Sequence, residues 1–188
     1  MDSMDSFDLL SHSSNIIILK SLQTGTLDSW QVNNGGYISI VDGGSSSSNH
    51  AFIQTHRTHI SSGPKHDLPL HCLVNVGDKF TFHAQVKLLD ENDNPYACDK
   101  SAPWNTPLTC PLLSIEVNHP TGVKRNHYAN SFGGAWDISD WNEYRATVTV
   151  TQEMTEANDV FLYLQGVRAG ASVMFDQVSM TVNDPVVS

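Results

Sequence analysis

The stretch DVFLYLQGVRAGASVMFDQVSMTV, Asp159–Val182, places two strand-like runs around a turn of small residues. In the second run Val173 and Phe175 alternate for one buried face. Val178 and Met180 do the same, but the two pairs are out of step. One residue is absorbed between Phe175 and Val178, and the carboxylate Asp176 stands there. A parity change inside a strand is what a β-bulge produces, because one inserted residue re-aims every side chain beyond it. An aspartate at that place has two readings. It accepts hydrogen bonds from neighbouring amides and holds a loop, or it joins freed carbonyls as a hard-oxygen ligand for Ca²⁺.

The same alternation runs outward from this segment. In Phe80–Leu88 the residues Phe80, Phe82, Ala84, Val86 and Leu88 point one way, and Thr81, His83, Gln85 and Lys87 the other. Leu113–Asn118 buries Leu113, Ile115 and Val117 and exposes Glu116. Tyr144–Thr151 buries Ala146, Val148 and Val150. Strict period-two alternation predicts half-buried antiparallel strands. Asn15–Leu19, Tyr37–Val41, Ala51–Thr55, Val160–Gln165 and Ser172–Val182 are further strands, and no long amphipathic helical pattern interrupts them. The expected fold is all-β, a jelly-roll β-sandwich of two antiparallel sheets spanning residues 15–184, with residues 1–14 a polar tail.

Two connections exceed what a sandwich needs. Asp90–Pro111 holds Tyr96 and Trp104; His119–Asp140 holds Tyr128, Phe132 and Trp136. Long loops are functional or disordered more often than idle, and aromatics argue against disorder. Cys98 and Cys110 lie in the first loop, where a bridge would contribute about 3 kcal/mol in the chain-entropy model. Cys72 is then left over. The alternative is three reduced thiols in a reducing compartment.

A chain of 188 residues makes one domain of ordinary size. Hydrophobic residues make up 39% and charged residues only 16%, a mix suited to an all-β extracellular domain. The net charge of −10 argues against nucleic acid, anionic membranes and polyanionic glycans as partners. Lys124 and Arg125 form the nearest thing to a cationic patch. No apolar run reaches the length of a membrane span. The opening MDSMDSFDLLSHSS lacks the basic and apolar regions of a signal peptide. His56 and His59 find no third metal ligand at a recognisable spacing, and no P-loop, Gly-x-Ser-x-Gly or Gly-x-Gly-x-x-Gly motif occurs.

FDQVSM, Phe175–Met180, resembles the closing strand of carbohydrate-binding modules with a galactose-binding-like β-sandwich, the β-glucan, cellulose and xylan binding types. WNEYRATVTVT (Trp141–Thr151), VFLYLQG (Val160–Gly166), GTLDSW (Gly25–Trp30) and VGDKFTFHAQVKL (Val76–Leu88) resemble further motifs of that group in the right order. The resemblance implies a non-catalytic, secreted or cell-surface module riding on a larger protein. It also implies a structural calcium on Asp176. The acids that usually complete that site are replaced by Ser21 and Gln23, which leaves a weaker ligand set.

A sugar site needs flat apolar area for ring faces and polar groups for hydroxyls. Trp104, Trp136, Tyr96 and Tyr128 are the stacking candidates. His83, Gln85, Glu116, Tyr163 and Gln165 are the polar candidates, expected to share one surface if their strands are neighbours. Trp30 and Trp141 are assigned to the core. The acidic total favours a neutral glycan such as β-glucan or xylan. Two alternatives stand beside this reading. One is a structural or adhesion module, whose loop aromatics would pack inward. The other is a jelly-roll glycan lyase using His83, Gln85, Arg145 and Tyr163.

Overall fold

A computed structural model describes residues 16–17, 27, 30–45, 50–103, 106, 108–128, 131–132 and 135–183. The longest alternating run becomes the spine of the molecule. β6 (Lys79–Leu89) buries Phe80, Phe82, Ala84, Val86 and Leu88 on one side and leaves the residues between them half-buried. On one flank it pairs with β12 (Ser172–Asn183), and on the other with β10 (Asn142–Thr149).

These strands belong to a seven-stranded antiparallel sheet. β3 (Tyr37–Asp42), β4 (His50–Thr55), β12, β6, β10 and β9 (Ser131–Phe132) follow in that order, and β1 (Ile16–Ile17) also pairs with β12. The second sheet has five strands in the order β2 (Trp30–Asn33), β5 (Gly63–Leu68), β11 (Asp159–Gln165), β7 (Leu112–His119) and β8 (Gly122–Tyr128). The expected sandwich of two antiparallel sheets is therefore what forms. Among the described residues no helix is long and apolar enough to cross a membrane.

The core is what alternation on both sheets places between them. Phe52, Phe82, Tyr144 and Phe175 meet Leu113, Ile115, Leu162 and Leu164 there. The Phe52 ring lies 5.2 Å from Trp30 and 5.1 Å from Phe175. Each such side chain contributes roughly 1.5–3 kcal/mol by leaving water. One polar bond crosses between the sheets: the Leu113 amide of β7 donates to the Tyr144 hydroxyl of β10 at 2.8 Å. Burial pushes the Tyr144 phenol well above its ordinary range, with the amide opposing it.

The bulge is present. Asp176 lies opposite Gln85 and Ser179 opposite His83, so three steps on β12 match two on β6. Gln177 absorbs the extra residue in a left-handed conformation, φ +49°. The other edge of β12 explains the position. β4 pairs with residues Val173–Phe175, whereas β1 pairs at Met180 and Thr181. The bulge falls where the neighbouring strand changes.

Several sequence expectations are corrected. The segment after β7 is no long loop, since Gly122 turns the chain directly into β8. GVKRNHY lacks apolar alternation because it is an edge strand, where charge blocks pairing with other chains. Tyr128 therefore ends a strand, opposite Leu113. β5 (GPKHDL) was hidden by its Gly-Pro opening, which reads as a turn. The strand expected to reach Thr151 stops at Thr149, and Thr151 caps a single helical turn, α1 (Gln152–Thr155). Trp30 joins the core, while Trp141 stands half-buried before β10. Cys98 and Cys110 are disulfide-bonded and Cys72 is free.

Candidate functional site

The two sheets send the polar candidates to opposite sides of the molecule. His83 and Gln85 face outward from the seven-stranded sheet; Glu116, Tyr163 and Gln165 face outward from the five-stranded one. The expectation of one shared surface is corrected. β6 and β10 are neighbours, and so are β7 and β11, but the core lies between the pairs.

On the five-stranded sheet, register builds a cluster. Phe161 of β11 lies opposite Glu116 of β7, which lies opposite Arg125 of β8; Tyr163 lies opposite Lys65 of β5. The Tyr163 hydroxyl donates to Glu116 Oε1 at 2.8 Å. Arg125 grips Glu116 Oε2 through Nε at 2.9 Å and also through Nη2. Its guanidinium carbon sits 4.9 Å from the Tyr163 ring centroid. Lys65 Nζ rides 3.4 Å over the Phe161 ring and 5.9 Å from that of Tyr163. Tyr163 is only 2% exposed beneath this cover. Its phenol is held above the usual range by burial and by donation to the Glu116 carboxylate. Gln165 is also buried and donates to the Ser114 hydroxyl at 2.6 Å. Tyr163 and Gln165 are the floor of this face, and Glu116, Arg125, Lys65 and Phe161 are its surface.

The opposite face carries a different set. His83 Nε2 lies 3.2 Å from Glu143 Oε1, and its Nδ1 lies 3.4 Å from the Gln177 carbonyl. Arg145 donates to the same Glu143 oxygen at 2.8 and 2.5 Å and, with His83, holds that carboxylate below its ordinary range. Gln85 is half-buried between Glu143 and Asp176. The lyase quartet is thus divided: Tyr163 is on one side of the sandwich and His83, Gln85 and Arg145 on the other. A base must lose its proton near neutrality, and the Tyr163 phenol is shifted the opposite way.

Two of the loop aromatics turn inward. Tyr96 and Trp136 pack against the core, and Trp136 Nε1 donates to the Tyr96 carbonyl at 3.2 Å. Burial raises the Tyr96 phenol, with the Arg168 guanidinium 5.1 Å from its ring. Trp136 also lines an open hollow of about 360 Å³ with Cys98, Asp99, Lys100 and Ser101. Trp104 lies outside the described residues.

Asp176 is 1% exposed. Its oxygens accept from the Ser45 amide at 2.6 Å, the Ser45 hydroxyl at 2.8 Å and the Gln177 amide at 2.7 Å. These groups present hydrogens, whereas calcium needs accepting oxygens. Among the described residues no three His, Cys, Asp or Glu side chains gather to hold a metal. Any calcium site would draw on Ser21 and Gln23, which lie outside the described residues.

Three residues of the five-stranded face went unnamed as candidates from sequence: Lys65, Phe161 and Arg125. Phe161 shares the parity of Tyr163, so its signal was present. Lys65 was hidden in an unrecognised strand and Arg125 in an apparent loop. Tyr37, 68% exposed on β3 beside His56, is a further surface aromatic.

No protein-family model matches the sequence, and no curated protein matches it. Solved structures do. The CBM22-1 xylan-binding domain of Paenibacillus barcinonensis Xyn10C superposes with a TM-score of 0.64 at 14% identity, over 94% of this chain and 100% of that domain. The C-terminal family 22 carbohydrate-binding module of Clostridium thermocellum Xyn10B gives 0.60 at 12% identity, over 89% of this chain and 93% of that one. The Clostridium thermocellum Xyn10B CBM22-1–GH10 modules, complexed with xylohexaose, give 0.59 at 14% identity, over 92% of this chain and 29% of that one. The likeness shows a shared fold.

Proposed function

We propose that this chain is a non-catalytic polysaccharide-binding module whose glycan lies across the outer face of the five-stranded sheet. One observation carries the reading. A carboxylate, a guanidinium and a phenol from three adjacent strands are locked together beside an outward aromatic ring. Glu116 and Arg125 are planar, charged partners for vicinal hydroxyls, and charge-assisted bonds to them are the stronger kind. They stand on strands rather than loops, so little freedom is lost on binding. The fold shared with xylan-binding domains makes xylan the first neutral glycan to try.

Affinity electrophoresis in xylan tests this. Retardation that weakens in Glu116→Gln and Arg125→Ala supports the site. Retardation lost in His83→Ala instead moves the site to the opposite sheet, and none on any neutral glycan defeats the reading. A secreted or cell-surface setting within a larger protein belongs to the same proposal, and the Cys98–Cys110 bond supports an oxidising compartment. A structural calcium on Asp176, with Ser21 and Gln23, is a separate proposal, in which the ion would have to displace the Ser45 and Gln177 donors from the carboxylate. Its readout is a melting temperature that falls with chelator.

A further inference from the structure

Lys65 is the charge on this face that a neutral sugar leaves unused. Arg125 is matched by Glu116. Lys65 instead rests on aromatic rings and makes no ion pair with any described residue. Asp67 follows two positions later on the same side of β5, exposed, and forms no such pair with it. An ammonium carries three donors, and stacking on a ring does not supply them with an acceptor. The Phe161 contact holds Nζ itself over a ring of β11, so the head group is positioned before any ligand arrives.

We infer that Lys65 takes a carboxylate carried by the glycan, which makes the preferred ligand a neutral main chain bearing uronic acid branches. The inference rests on the reading above and adds the substituent. Lys65 Nζ and Arg125 Cζ lie on the same Tyr163 ring, 5.9 and 4.9 Å from its centroid. A main chain bonded at Glu116 and Arg125 therefore puts a branch within reach of Lys65. The total charge of −10 opposes polyanions at long range, but a sparse carboxylate meets only the local charge.

The test compares uronate-substituted xylan with the same polymer after carboxyl reduction, at low and high salt. Binding to the acidic polymer should exceed binding to the reduced one by about two- to fivefold, the upper part of the range of an exposed ion pair. High salt should close the gap. Lys65→Met keeps a long unbranched side chain without the charge and should bring the ratio of the two affinities to one; Lys65→Gln serves if that variant misfolds. Equal affinity of the wild-type chain for both polymers overturns the inference and leaves the module reading standing. No binding to either polymer overturns both.

Discussion

Asp176 holds Ser45 by two hydrogen bonds, 2.6 Å to its amide and 2.8 Å to its hydroxyl, across 131 positions of sequence. Alternation from buried Phe175 turns the carboxylate outward, opposite Gln85, just before the bulge, at the point where β12 passes from β4 to β1. The aspartate thus fastens Ser45, in the loop after β3, over a place where, among the described residues, neither β4 nor β1 pairs with the strand.

Asp176→Asn keeps the shape and removes the charge, turning one strong acceptor into a donor toward Ser45 or Gln177. Hydrogen bonds to charged groups are worth about 1.5–3 kcal/mol, so a loss of about 2–3 kcal/mol is expected. In a domain of this size that lowers Tm by roughly 4–12 °C. A thermal melt unchanged by the substitution would show the clasp to be incidental.

Tyr144→Phe leaves the buried Leu113 amide without its partner between the sheets. The expected cost is about 1–3 kcal/mol in a denaturant titration. The same phenol gives a pH dependence. Its folded value is raised above the unfolded one near 10, so its contribution is complete below about pH 10 and is lost as pH climbs beyond. Tyr163 acts in the same direction. Alkaline unfolding should set in above about pH 10, and Tyr144→Phe should flatten its slope.

Arg125→Ala removes one grip on Glu116 and the guanidinium that lies over Tyr163. Xylan affinity should fall about tenfold, equivalent to about 1.4 kcal/mol. His83→Ala on the other sheet should change it less than twofold. Isothermal titration of both variants separates the faces.

Reducing Cys98–Cys110 opens a loop whose ends are 12 positions apart. About 3 kcal/mol of stability should go with it by the chain-entropy relation. A melt with and without reductant reads this directly, since the free Cys72 is unchanged by reduction.

Legibility followed burial. β6, β7, β10, β11 and β12 were readable because each has one wet and one dry face, and period-two alternation records that asymmetry. The register break at Asp176 was readable for the same reason. β5 and β8 were not. One opens on Gly-Pro, and the other is a charged edge strand with little to bury. Their loss hid Lys65 and Arg125. Tyr96 and Trp136 were legible as loop aromatics, but not as residues that pack inward.

The sequence by itself determined the fold class, because the alternation of apolar side chains is a local property of each strand. It offered Cys98 and Cys110 as a pair because those two cysteines share one segment, but left three reduced thiols as the alternative, and the bond itself is seen only in the structure. Which outward residues meet was decided only by tertiary structure. Pairing between β7, β8 and β11 joins residues as far apart as Glu116 and Tyr163, while the core separates His83 from both. Most outward positions are polar in a similar way along the chain, so nothing local tells one sheet's face from the other's.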